Sequence, residues 1–287
     1  MSATDDGLTM HWMRLEDVFE KTISYAQNYE DILLARVFPG PEGFYIDVGA
    51  NHPVFHSVTK LFYDRGWSGI NIEPSPVVFE RLRDDRPRDL NLNVGLSDRD
   101  GTLTFHESLV YHGWSTFRPD LAQHYRDLNV AMVERPIPVT TLARVCEAHA
   151  NRPIDFLKID AEGFEREVLL GGDFRRWRPR VLLVENSWPE AWEPVMAGLD
   201  YRHAAFDGLN RFYVRAEDEA LLPAFGTIAN VLDNFVPYEY YRLIEDLANR
   251  TGARTPPPSL IDAIRRDAPR VARRIRSAVR RLTLRAG

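Results

Sequence analysis

The chain has 287 residues, 44% of them hydrophobic, with 36 basic and 42 acidic side chains and a net charge of −6. That is enough apolar material for one large α/β domain with appendages or for two small domains, and it excludes a globally disordered chain. The single cysteine, Cys146, excludes an intrachain disulfide and a cysteine-built zinc site.

No run of 18 apolar residues is present, and the acidic start MSATDDGLTMHW lacks the apolar core of a signal peptide, so a cytoplasmic protein is the expectation. Charge is unevenly spread. Nine arginines and one acid, Asp267, lie from Ile264 onward, leaving −14 on the remainder. An acidic body argues against a nucleic-acid partner.

In chain order, Leu15 to Val37 reads as helical and is broken by Pro39, Gly40, Pro41 and Gly43. FYIDV reads as a buried strand, Val58 to Arg65 as a helix, SGINIEP as a second strand and Val77 to Arg83 as a second helix. LNLNVGLSD predicts a third strand and GTLTFHE a fourth. Ser108 to Pro136, which holds GWSTF, shows no regular period. VTTLARVCEAH predicts a threonine-capped helix, IDFLKIDAEG a buried strand with an acidic end, and Phe164 to Leu170 a helix stopped by two glycines. RVLLVENS is the next strand and Ala191 to Ala197 the next helix. Tyr201–Phe206 and Asn210–Arg215 flank Asp207-Gly208 as a hairpin. This alternation predicts βαβ units and a mainly parallel sheet.

Ligands of open α/β sheets bind beyond the carboxyl ends of the strands. Those ends carry Asp47 with Gly49, Ala50 and Asn51; Glu73; Ser97 and Asp98; Asp160 and Glu162; and Glu185 with Asn186. Glu73 follows the glycine turn by about the interval at which an acid accepts ribose hydroxyls. The turn lacks G-x-G-x-x-G, and Asp47 beside it suits a cation better than a pyrophosphate. This favours S-adenosylmethionine over NAD.

SYAQNYEDILL, FYIDVGANHPVFHSVTKLFYDRGWSGINIEPSP, LSDRDGTLTF, GWSTF, IDFLKIDAEGFEREVLLGGDF, RPRVLLVEN and FDGLNRFYV, in this order, resemble the FkbM family of S-adenosylmethionine-dependent methyltransferases. The resemblance implies a class I Rossmann-like fold: a mainly parallel seven-stranded sheet, helices on both faces, and an antiparallel C-terminal hairpin strand. It implies O-methyl transfer, often to sugars, polysaccharides or polyketides. Asp47, Gly49, Ala50 and Asn51 would line the methionine part of the cofactor, Glu73 would hold the ribose, and Ser97 or Asp98 would lie near the adenine. His52 stands where the family pattern has an acid or small polar residue.

The expected organisation is an N-terminal helical segment over the site (1–42), a methyltransferase domain (43–236) and a helical extension (237–287). Transfer to a hydroxyl requires removal of its proton, and two routes stay open. His52, His56, His112, Asp160 and Glu162 are candidate bases. Asp160, Glu185 and Asn186 are candidate ligands for Mg²⁺ or another divalent cation, similar to the acid, acid and amide of catechol-type O-methyltransferases. After the stiff linker Thr255–Ser259, Ile261, Ile264, Val271, Ile275, Val279 and Leu282 recur at helical spacing among arginines. That pattern predicts a basic amphipathic helix able to meet a membrane surface, the acidic body, a glycan or a second copy of the chain. The acceptor expected is a sugar or glycan hydroxyl. The rival readings are an NAD-linked oxidoreductase and a cofactor-binding protein without activity.

Overall fold

The computed structural model describes residues 20–187 and 189–251. The Thr255–Ser259 linker, the basic helix beyond it and the start of the expected N-terminal helix lie outside the described residues. Two compact units are present: residues 24–233, and the described residues outside them.

The described residues open on β1 (Thr22–Ser24), within the stretch expected to be helical as far as Val37. The cause is Asp31, whose carboxylate accepts hydrogen bonds from Ser24 Oγ (2.6 Å), Tyr25 N (2.7 Å) and Ala26 N (3.3 Å). The chain is thereby folded into a turn, and Tyr29, left-handed at φ 64°, caps α1 (Glu30–Val37). There follow β2 (Phe44–Val48), α2 (Lys60–Asp64), β3 (Ser68–Ile72), α3 (Pro76–Asp85), β4 (Leu90–Leu92), β5 (Gly95–Leu96) and β6 (Gly101–Ser108). After a 3-10 turn at His112–Trp114 come α4 (Pro119–Asp127), β7 (Met132–Thr140), α5 (Leu142–His149), β8 (Phe156–Ile159), α6 (Glu165–Leu170) and β9 (Val181–Glu185). The larger unit closes with α7 (Pro189–Met196), the hairpin β10 (Tyr201–Phe206) and β11 (Asn210–Arg215), and 3-10 segments from Ala216. In the smaller unit β12 (Phe235–Pro237) pairs with β1, with Thr22 N donating to the Asn234 carbonyl (3.2 Å), and leads into α8 (Tyr238–Thr251).

The main sheet has seven strands in the order β10-β11-β9-β8-β2-β3-β4. It is mixed: β9, β8, β2, β3 and β4 run parallel, while β11 is antiparallel to both neighbours. Side chains alternate between two cores, as the pleat dictates. Ile46, Val48, Ile70, Ile72, Leu157 and Val184 pack with α5, α6 and α7 on one face. Tyr45, Phe156, Leu183 and Phe212 pack with Leu33, Leu34, Phe62 and Trp67 on the other.

Two expectations are corrected. LNLNVGLSD is two strands in different sheets, and GTLTFHE does not join the main sheet. It pairs antiparallel with β7 over its whole length in a second sheet, β5-β7-β6. The region read as irregular thus contains β7, disguised by Pro136 and Pro138, which cannot donate to a ladder. The Thr141 cap of α5 is as expected, its side chain accepting from Arg144 N.

Candidate active site

The parallel strands all end on one side of the sheet, and an open cleft lies there. Its lining includes Gly49, Asn51, Glu73, Gly95, Phe105, His112, Phe117, Asp160 and Glu162.

Two strand-end turns form its floor. Gly49 (φ 70°) and Asn51 (φ 50°) follow β2; Glu162 (φ 50°) and Gly163 (φ 89°) follow β8. All four are left-handed, and for Asn51 and Glu162 that conformation carries strain of the kind found at functional sites. The turns touch: a Cβ on Gly49 would lie 1.8 Å from the Asp160 carbonyl oxygen. Lys158, one residue inside β8, joins them. Its Nζ donates to the Gly49 carbonyl (2.9 Å) and lies 3.1 Å from Asp47 Oδ1 and 3.4 Å from Asp160 Oδ2. Burial alone would lower this lysine's pKa, but the two carboxylates raise it.

Asp47 consequently faces inward. Thr59 Oγ1 donates to its Oδ2 (2.9 Å), and it does not line the cleft. Ala50 also turns away, packing on Val78 and Leu82. Glu73 faces the cleft from the end of β3. Its Oε2 accepts from Asn51 N (2.9 Å) and its Oε1 from Ser75 N (2.8 Å), which fixes the carboxylate. Burial pushes its pKa up to about 7 despite those bonds. Ser97 and Asp98 do not line the cleft. Ser97 is buried with its hydroxyl on Asp98, which is exposed, and Val94, Gly95 and Leu96 form that wall instead.

The acids gather at the ends of β8 and β9. Carboxylate oxygens of Asp160, Glu162 and Glu185 lie within 4.8 Å of one another. Burial, then Glu185 and Asp160, push Glu162 well above the usual range; burial, then Asp160 and Glu165, do the same to Glu185. Asn186, expected beside Glu185 as a third ligand, is otherwise engaged. Arg211 Nε donates to its Oδ1 (2.6 Å), and a guanidinium there opposes a second cation. Glu162 takes its place in the cluster.

The histidines separate. His52 Nδ1 accepts from Val54 N and Phe55 N, both at 3.0 Å. Its lone pair closes a turn rather than facing the cleft, and burial, then Arg81, lower its pKa. His112 does line the cleft, and its buried Nδ1 has no hydrogen-bond partner among the described residues.

Other residues shape the site without having been singled out in the sequence. Glu165 Oε1 accepts from Ala161 N (2.9 Å) and Gly163 N (3.1 Å), holding the second turn. An acid in the first turn of a helix just after a strand-end glycine was the available signal. Thr116 Oγ1 donates to the Glu162 carbonyl (2.8 Å), so GWSTF forms the wall beside the acids. Tyr125 in α4 sits within the field of Glu162 and Glu185.

Fold and cleft together define an α/β protein built to hold a small ligand beyond the carboxyl ends of its parallel strands. The methyltransferase FkbM domain matches residues 47–216, more than half of the chain. Methyltransferase sdnD of Sordaria araneosa is 29% identical over 182 residues, covering 53% of this chain and 67% of that protein. The chain belongs to the FkbM methyltransferase family.

Proposed function

We propose that the protein is an S-adenosylmethionine-dependent O-methyltransferase of the class I, Rossmann-like kind, acting on a hydroxyl of a sugar or glycan precursor. The observation that carries this reading is the division of the cleft. One part of the lining has the fixed Glu73 carboxylate, and another has Asp160 and Glu162, with a Glu185 carboxylate oxygen within 4.8 Å of theirs.

The residues present fit the cofactor. Each Glu73 oxygen accepts a single backbone N–H, so each keeps a lone pair for a ribose hydroxyl. Val94, Leu96, Phe105 and Phe117 supply apolar walls for a base. Asp47 no longer argues against a pyrophosphate, because it faces inward. The absent glycine fingerprint still does, and so do the clustered acids. When bound, S-adenosylmethionine supplies a sulfonium-borne methyl group, and the sulfur keeps the bonding electron pair as the acceptor oxygen takes that methyl.

The acceptor hydroxyl must shed its proton to this chain. Burial and neighbouring acids hold Glu162 and Glu185 well above the usual carboxyl range. Asp160, paired with Lys158, is the member we assign as proton acceptor, with Glu162 orienting the hydroxyl and His112 contacting the acceptor. A divalent cation on Asp160, Glu162 and Glu185 is the second route, favoured by that same grouping.

Calorimetry with S-adenosylhomocysteine and NAD tests the cofactor: heat with the first and none with the second is expected, and the reverse would overturn the reading. Asp160→Asn is expected to lower kcat by about a hundredfold or more while leaving S-adenosylhomocysteine affinity within about tenfold. An unchanged rate in excess EDTA would remove the cation route.

A further inference from the structure

We infer that the Asn51 side-chain amide and the Ser115 hydroxyl form the seat of the cofactor's α-carboxylate; this rests on the S-adenosylmethionine reading given above. The methionine end of that cofactor brings an anion into a cleft whose charged groups are acids. Among the side chains of the lining, Glu73, Asp160 and Glu162 are carboxyls, and Asn51, His112 and Ser115 can donate a hydrogen bond; the rest are apolar or glycine. A carboxylate is repelled by the first three and needs donors.

The backbone of the floor is already committed. Gly49 N and Ala50 N both donate to the Ile72 carbonyl (3.0 and 3.2 Å), and Asn51 N donates to Glu73. In the second turn Asp160 N donates to the Val48 carbonyl (3.1 Å), while Ala161 N and Gly163 N are held by Glu165. The glycine turn, where an anion would ordinarily meet backbone N–H groups, is closed onto the protein itself.

The donors come from side chains instead. Ser115 is only 8% exposed, and its Oγ accepts from Ser108 N (3.0 Å), which leaves its own proton for a ligand. The Asn51 amide has no hydrogen-bond partner among the described residues, and its backbone is fixed in the left-handed region with N on Glu73. Gly113 brings the two segments together. A Cβ there would lie 3.5 Å from Asn51 Nδ2, so the turn that ends in Ser115 rests against that amide. Ser115 N donates to the His112 carbonyl (3.1 Å), which fastens the turn before any ligand arrives, so little freedom is lost on binding. His112, on the other flank of Gly113, stays with the acceptor.

Calorimetry with S-adenosylhomocysteine and with its decarboxylated form, which keeps the adenosine, the sulfur and the amine, tests the seat. Wild type is expected to bind S-adenosylhomocysteine about tenfold or more tighter than the decarboxylated form. Asn51→Gly, which tolerates the left-handed backbone, and Ser115→Ala should each lose about tenfold in S-adenosylhomocysteine affinity yet stay within about threefold of wild type for the decarboxylated form. Because Ser115→Ala also takes the acceptor from Ser108 N, the affinity for the decarboxylated form and the melting temperature serve as its folding control, and Asn51→Gly decides independently. Equal binding of the two ligands by wild type, or an Asn51→Gly protein that weakens both alike or neither, overturns the seat while leaving the cofactor reading intact. Wild type that binds neither ligand sinks the cofactor reading and the inference with it.

Discussion

At Gly49 a single hydrogen in place of a side chain allows two strand ends to meet. A Cβ there would fall 1.8 Å from a backbone oxygen, and φ of 70° disfavours any other residue. Gly49→Ala is expected to cost about 3 kcal/mol or more, read by chemical denaturation, because neither backbone can yield. Glu73 makes a different kind of prediction. In the proposed function its carboxylate form accepts from the ribose, and burial pushes its pKa up to about 7. S-adenosylhomocysteine affinity should therefore fall as pH drops below about 7, by at most tenfold per pH unit. Glu73→Gln should bind weakly and with a flat profile, and calorimetry across pH 5.5–8.5 would separate the two shapes.

Between elements, the N-terminal motif QNYED finds its use. Glu30 and Asp31 are both buried, and both are committed to holding the chain. Asp31 forms the turn before α1. Glu30 Oε1 accepts from Asn210 Nδ2 (2.7 Å) and its Oε2 from Asn28 N (2.8 Å), while Asn28 Nδ2 donates to the Asp207 carbonyl (2.7 Å). Helix α1 thus clasps the β10-β11 turn, and the next residue, Arg211, holds Asn186 beside Glu185. Asn210→Ala leaves a buried carboxylate oxygen without its donor. A stability loss of about 1–3 kcal/mol is expected in urea titration. A loss near zero would show that the clasp contributes nothing.

Across the whole molecule, buried acids set the pH response. Burial raises Glu30 to about 8, Glu73 and Glu165 to about 7 and Asp31 to about 6. A carboxyl raised on folding stabilises below its unfolded pKa, and that contribution is lost as pH climbs through the folded value. Glu217 behaves oppositely: Arg178 holds it at about 2, so its contribution is present above the unfolded value and lost as pH falls toward 2. The ligand-free melting temperature should accordingly peak between about pH 4 and 6 and fall toward pH 8. A melting curve that rises steadily to pH 8 would contradict this.

The sequence by itself determined the strands of the seven-stranded sheet, the side of that sheet on which a ligand is expected, and the acids at the strand ends. Those follow from local period and from the rule that parallel strands end together, and neither needs distant contacts. Lys158 interrupts an apolar strand, and that position pairs it with the carboxylates of Asp47 and Asp160. Only tertiary structure decided which way each acid points. Asp47 was drawn inward by Lys158 and Thr59, Asn186 was taken by Arg211, and His52 was closed onto its own turn, while Glu162 was left facing the cleft. Tertiary structure also decided that GTLTFHE leaves the main sheet. A strand's partner and a side chain's direction depend on residues far along the chain, so spacing along the sequence does not encode them.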